Sequence, residues 1–417
     1  MRALVLSRSP FGSTNYAQVM GPEWQVSVIG DDRAIRQAES YDEPYDQLVA
    51  VPDYNESPAV ELAAHRLHRR RPFDTIVALS EYDVLRAARL RELLGIPGQS
   101  LASALAYRDK LVMKETLAAA GVPVTRFAAV TTVSDLLGFA ERTGYPFIVK
   151  PRRGAGSVGV ELLRDEADVQ RVAMSCRELG GDVGAALLAE EYVPNSMLHV
   201  DGLVHAGKVQ LIWPSTHGDT TTLSYRDGGA LVSSMLDRDD PRWEPSVALV
   251  EQTLAALPTP DTTIFHAEVF HTPDGRWLLN EIASRMGGVK VGSAMKMAFG
   301  VSLGREYLRA LATGEMSFAA GLQPSRLAGW LVVPPIPGRV RRVPTGCPLD
   351  GVHEFAVHTA VGTEIKPATS AFDALMTAVA VGDDRATVLG RLEGIRDWFH
   401  AELKIEPVFT SNGRLPD

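Results

Sequence analysis

Lys150 opens the segment KPRRGAGSVGV, in which Gly154, Gly156 and Gly159 formally spell GxGxxG. That string alone is a weak signal, because a dinucleotide fingerprint requires strand, turn and then a helix whose N-terminus holds the pyrophosphate. Here the loop leads into another β-type run, VGVELL, and lacks the Lys-Ser/Thr of a Walker loop. What remains is a glycine loop between two strands. Its unhindered backbone N–H groups can close over phosphates, with Lys150 held on the preceding strand as a point charge. The plain alternative is a hairpin without a ligand. A second constellation is HAEVFHTPDGRWLLNEIASRMGG, residues 266–288. Glu268 and Glu281 lie thirteen positions apart, and the Pro273-Asp274-Gly275 turn folds their strands together so that both carboxylates can face one site. Paired carboxylates beside a phosphate-binding loop suit Mg2+, which takes hard oxygen ligands and bridges to ATP oxygens. Arg285, four residues after Glu281, adds a permanent cation for a transferring phosphoryl group. The plain alternative there is a surface hairpin with an ordinary ion pair.

Other candidates carry less chemistry. Ser80-Glu81-Tyr82 follows a strand where open α/β sheets place ligands, although helix capping is the favoured role. His199, His217, His266 and His271 have no tight metal-ligand spacing, so core or supporting roles are expected; His266 stands out because it shares the face of Glu268. The polar stretch 216–229 is long enough for a substrate loop, or for a plain solvated connection.

These residues need elements to position them. Short apolar runs at 3–6, 26–29, 48–51 and 75–79 alternate with helical patterns, as in a small Rossmann-like layer. EYDVLRAARLRELLG reads as a helix stopped by Gly95 and Pro97, and 110–120 as another, with Asp109 as N-cap and Gly121 at its end. From residue 127 the pattern gives a strand, a helix at 134–142, strands at 147–149 and 158–163, and a helix from 165 to about 179. Strands follow at 186–192, 198–204 and 209–213, then a helix at 247–257 and the hairpin 264–270/277–282. The chain closes with strands around 330–333 and a helix near 386–402. Its 417 residues, 45% apolar, suffice for two to three domains. A net charge of −9 without a basic block argues against a nucleic-acid footprint. Two cysteines, Cys176 and Cys347, without CxxC fit a reducing cytoplasm. No stretch approaches 18 uninterrupted apolar residues, and the start MRALVLSRSPFG lacks a signal h-region, so neither a membrane span nor secretion is expected.

The order Asp109-Lys110, YPFIVKP with its glycine loop, LLAEEYVPNSMLHVDGLV, HAEVF and LLNEIASRMGG resembles the ATP-grasp superfamily over nearly the whole chain. The form ExxxR, Glu281 to Arg285, is similar to its carboxylate–amine ligases, such as the L-amino acid (dipeptide) ligases and relatives in antibiotic biosynthesis. The resemblance implies an α/β (α+β) ATP-grasp fold. Its parts would be an N-terminal Rossmann-like αβ domain at 1–105, a small subdomain with the glycine loop at 106–190, a large subdomain with the metal site at 191–315 and a C-terminal lobe at 316–417. It also implies that Lys110 and Lys150 reach the ATP phosphates and that Gly154, Gly156 and Ser157 cover them. Glu190, Glu191, Tyr192 and Val193 would form the strand that reads the adenine, with Phe270 packed on the base. Glu268 and Glu281 would hold one or two Mg2+ ions, for which Mn2+ can substitute, and Arg285 and Lys150 would be catalytic. Two positions depart from the pattern: the ribose-binding Glu falls on Met197 and a metal-ligating Asn on Ala283, while Asp201 keeps its place. The implied activity is ADP-forming amide synthesis from a small carboxylate and an amine through an acyl-phosphate. Similar ligases are commonly homodimers. Two alternatives stay open: charging of a carrier-protein thiol, with RVRR at 339–342 as the docking candidate, and a non-catalytic ATP sensor, suggested by Met197 and Ala283.

Overall fold

The computed structural model describes residues 1–8, 14–175, 187–217, 225, 229–367 and 373–407. The first apolar runs build a parallel four-stranded sheet in the order Gln47–Ala50, Gln25–Gly30, Arg2–Ser7, Thr75–Ala78. All six residues of Arg2–Ser7 are buried, as a strand covered by helices on both faces requires. Asp31 caps the helix Asp32–Glu39 by accepting the Ala34 N–H, and Gly95, at φ 67°, ends the expected helix Val84–Leu94 in the left-handed conformation.

A helix that the periodicity did not reveal, Leu101–Arg108, comes next, started by Ser100. Asp109 leaves helical geometry (φ −100°, ψ 108°) and caps the following helix, Lys110–Ala119, through the Leu111 N–H. One residue therefore breaks one helix and begins the next. Its buried carboxylate also takes Arg152 at 2.8 Å and Arg153 at 3.2 Å, which ties this junction to the glycine loop.

The second sheet is antiparallel, in the order Phe127–Val130, Leu187–Glu191, Phe147–Pro151, Glu161–Leu163, with helices Val133–Thr143 and Glu166–Ser175 beside it. The strand expected from 158 begins only at Glu161, because Gly156, Ser157 and Gly159 take φ values of 64°, 59° and 71° and form a turn instead. The helix expected to 179 is described as far as Ser175, and residues 176–186 lie outside the described residues.

The third sheet has eight antiparallel strands, in the order Trp277–Ala283, Thr263–His271, Ser196–His205, Lys208–Thr216, Leu231–Met235, Leu327–Val333, Met376–Gly382, Val352–Val357. It runs on past residue 315, so strands 327–333 and 376–382 share one ladder with the 263–283 hairpin. Helices Trp243–Ala256, Val291–Phe299 and Arg385–Glu402 pack on it and fill the largest core. Past the polar stretch 216–229 the chain forms a strand that the sequence pattern did not reveal, Leu231–Met235; residues 218–224 and 226–228, most of the expected substrate loop, lie outside the described residues. A small sheet of Gly338–Arg342, Glu364–Ile365 and Lys404–Glu406 carries the RVRR motif. Its three arginines pair with Glu364, Glu406 and Glu402, so the motif is not a bare basic patch. Among the described residues no helix is long and apolar enough to cross a membrane.

Candidate functional site

Along the strand Thr263–His271 the buried Phe265, Ala267 and Val269 face one side, while His266, Glu268 and Phe270 face the other. Register places Glu281 opposite Glu268 on one flank and His199 opposite it on the other. A β-bulge after Glu268 sets both Asn280 and Glu281 against it, so the Asn280 amide donates to Glu268 Oε2 at 2.7 Å. Burial raises the Glu268 carboxyl above its ordinary range, and the neighbouring Glu281 charge raises it further. Burial would raise Glu281 as well, but Lys110 foremost, then Lys150 and Arg285, overcome it and push that carboxyl down to about 2. One carboxylate is thus firmly ionised while its neighbour holds a proton more readily.

The cations come from the other sheets. Lys110, in the first turn of its helix, places Nζ 3.0 Å from Glu281 Oε2 and donates to the Gly154 carbonyl at 3.0 Å. The glycine loop is thereby joined to the carboxylate pair through one ammonium. Lys150 Nζ lies 3.1 Å from Glu190 Oε1 and 3.5 Å from Asn280 Oδ1. Lys114, one helical turn beyond Lys110, reaches the same Glu190 oxygen at 3.4 Å and donates to Thr125 Oγ1 at 2.9 Å. Glu191 is held by Arg126, through its backbone N–H at 2.9 Å and its Nε at 2.7 Å. The strand Leu187–Glu191 ends before Tyr192 and Val193, which were expected on it, and both acidic side chains at its end are engaged by protein cations. Tyr192 beyond them is 42% exposed and Val193 is buried. Phe270 pairs in register with Met197, which puts two apolar side chains where the family pattern carries a ribose-binding acid.

Arg285 Nε bonds to Glu81, and an Arg285 Nη donates to the Met286 carbonyl at 2.8 Å. Arg108 meets the other Glu81 oxygen at 3.2 Å and the Gly154 carbonyl at 3.4 Å. Glu81 is thus no helix cap: it links the end of the parallel sheet to two arginines. Asp201 accepts from His199 Nδ1 at 2.5 Å and from His266 Nδ1 at 2.8 Å, and the two imidazoles outweigh burial to keep its carboxyl well below the usual range. His199 also meets Ser233 at 2.7 Å, and His217, driven down by burial, stands 4.9 Å from the His199 ring. The three ligating groups of His199, Asp201 and His266 lie within 4.8 Å of one another, but the carboxylate oxygens are already spent on the imidazoles. His271 stacks on Trp277 at 4.3 Å, a packing role at the far end of the hairpin.

The structure therefore brings Lys110, Lys150, Gly154, Glu268, Glu281 and Arg285 to one place, with Glu190 directly behind Lys150. Sequence reasoning passed over Lys114, Arg108 and Asn280. Lys114 has a readable signal, the i+4 spacing from Lys110 on one helix face. Asn280 has none, because its role depends on a bulge.

A family profile described as carbamoyl-phosphate synthase L chain, ATP binding domain, matches residues 109–198. The L-arginine-specific L-amino acid ligase of Bacillus subtilis is 27% identical over 263 residues, which is 62% of this chain and 62% of that protein, under two thirds of either. The alanine–anticapsin ligase of Bacillus subtilis is 23% identical over 328 residues, 73% of this chain and 68% of that one. Among solved structures, an L-amino acid ligase from Bacillus licheniformis superposes with a TM-score of 0.73 at 18% identity, covering 97% of this chain and 98% of that chain. The matched profile spans the Lys110 helix, the glycine loop and the Glu190 strand, and the likeness to the solved ligase over nearly the whole chain shows a shared architecture: the chain has the ATP-grasp fold.

Proposed function

We propose that this protein is an ATP-dependent carboxylate–amine ligase that joins an amino acid, or an amino acid-like acid, to an amine and releases ADP and phosphate. The observation that carries the reading is the convergence of two opposed carboxylates, Glu268 and Glu281, with Lys110, Arg285 and the glycine loop. The all-oxygen donor set of the carboxylate pair fits Mg2+, and Glu281 stays ionised at any physiological pH. Bound there, the ion would neutralise phosphate oxygens.

ATP would lie between the glycine loop and the hairpin, its base against Phe270 and Met197 and its phosphates near Lys110 and Lys150. The substrate carboxylate oxygen attacks the γ-phosphorus, the bond to the β–γ bridging oxygen breaks, and ADP leaves. Lys150 and Arg285 hold the charge that spreads over the phosphoryl oxygens. The amine nitrogen then attacks the acyl carbon of the acyl-phosphate, phosphate departs with the bonding electrons, and the nitrogen gives up its proton. Arg285, whose direction Glu81 fixes, would steady both oxyanions. Closure of the 154–159 loop would keep water from the mixed anhydride. Small-molecule substrates and a reducing cytoplasm belong to the same reading.

The test is trapping with hydroxylamine. With MgATP and a panel of amino acids, a hydroxamate of one acid should accumulate together with ADP, and Glu281→Ala should form none. ADP release without any trapped hydroxamate would remove the acyl-phosphate from the account.

A further inference from the structure

Lys114 is the one ammonium of the cluster that no ligand can touch. It is 1% exposed, and its Nζ is spent on Thr125 Oγ1 at 2.9 Å and Glu190 Oε1 at 3.4 Å. Glu190, equally buried, faces Lys150 Nζ at 3.1 Å on the same oxygen, and Thr125 Oγ1 donates to its other oxygen at 3.4 Å. The triad thus contains two ammonium groups and one carboxylate.

From this arithmetic we infer that Lys114 is a positioning residue for the nucleotide phosphates: it neutralises Glu190, so that the charge of Lys150 is left over for a phosphoryl oxygen. Without Lys114, Lys150 and Glu190 would form a closed neutral pair, and a buried ammonium so paired gains little by leaving its carboxylate. With Lys114 in place the triad keeps one net positive charge, and Lys150, with three N–H donors, can hold Glu190 and a phosphate together. Lys110 needs no such helper. Its carboxylate, Glu281, is the one proposed to take a cation when the nucleotide arrives, whereas Glu190 is not placed to do so. Burial lowers the Lys114 ammonium to about 8 against the pull of Glu190 foremost and of Glu281 behind it.

The inference rests on the nucleotide-binding part of the proposed function, and the experiment separates the two. Binding of ADP with Mg2+ and of adenosine is measured for the whole protein, for K114M, for E190Q and for K114M/E190Q, with thermal melting of each. K114M should weaken ADP roughly tenfold, within the range of couplings inside one ion-pair network, and leave adenosine unchanged. K114M/E190Q, in which Lys150 has no carboxylate to hold it and keeps the same single positive charge for a phosphoryl oxygen, should recover ADP affinity to within about twofold. Equal weakening of ADP and adenosine, an unchanged ADP affinity, or no recovery in the double variant would each overturn the inference. If K114M does not fold, K114M/E190Q decides: with Glu190 neutral, Lys150 no longer needs Lys114, so ADP affinity must stay within about twofold of the unaltered protein, and a clear loss overturns the inference. Failure of the unaltered protein to bind ADP would strike the nucleotide reading itself.

Discussion

Glu268 and Glu281 are adjacent carboxylates with opposite tendencies, and the split follows from what each touches. Glu268 meets an amide, Asn280, while Glu281 meets the ammonium of Lys110. The Glu281 carboxyl, pushed down to about 2 from an ordinary 4.5, contributes stability that is fully present above pH 4.5 and is lost as pH falls toward 2. Urea unfolding of the unaltered protein and of Glu281→Gln should therefore show a stability difference that shifts against the unaltered protein as pH drops from 5 to 3. A difference constant across that window would contradict the assigned ion pair. At this scale much of the site was legible. Lys150 beside a glycine loop and ExxxR after a Pro-Asp-Gly turn are local patterns, and the structure brings their side chains together. Glu190 was legible in place but not in contacts, since its two lysines come from a helix and a strand that only the tertiary fold brings to it.

Elements set the precision. The hairpin bulge aligns Asn280 and Glu281 on one glutamate, and the turn after it brings Gly287 onto the Asp201–His266 pair. A Cβ at Gly287 would stand 2.8 Å from Asp201 Oδ1, from His266 Nδ1 and from Val291 Cγ1, so the buried imidazole–carboxylate pair acts as a floor for the segment that carries Arg285. Gly287→Ala should cost about 1–3 kcal/mol by overpacking. Because the displaced atoms lie two residues from Arg285, kcat should fall while ADP affinity holds; an unchanged kcat in a folded variant would show that the floor does not position the arginine. Alternation and turn residues made the hairpin itself readable, as Gly275 at φ 84° bears out. The helix Leu101–Arg108 was not readable, because LASALAYR is mostly apolar and small and offers no polar face to mark a period. With it went Arg108, and with Arg108 the bridging role of Glu81.

Across the whole molecule, one face of the eight-stranded sheet, the glycine-loop sheet and the end of the parallel sheet meet at a single charged cluster. Glu81 from the end of the parallel sheet, Lys150 and Gly154 from the glycine-loop sheet and Glu268, Glu281 and Arg285 from the eight-stranded sheet all touch one another's partners. Composition could announce several α/β layers, but it could not announce that strands beyond residue 315 extend the same sheet, since pairing between 231–235 and 327–333 is long-range. An arrangement in which cations and opposed carboxylates converge from three sheets is what the proposed reaction of two substrates with one nucleotide requires. The most direct measurement is mass spectrometry of the product formed from MgATP and amino acids supplied singly and in pairs. A compound whose mass is the sum of two substrates less one water is expected, appearing with ADP and phosphate and only when both substrates are present. ATP turnover that needs a single acid and yields no such condensation product would contradict the ligase reading.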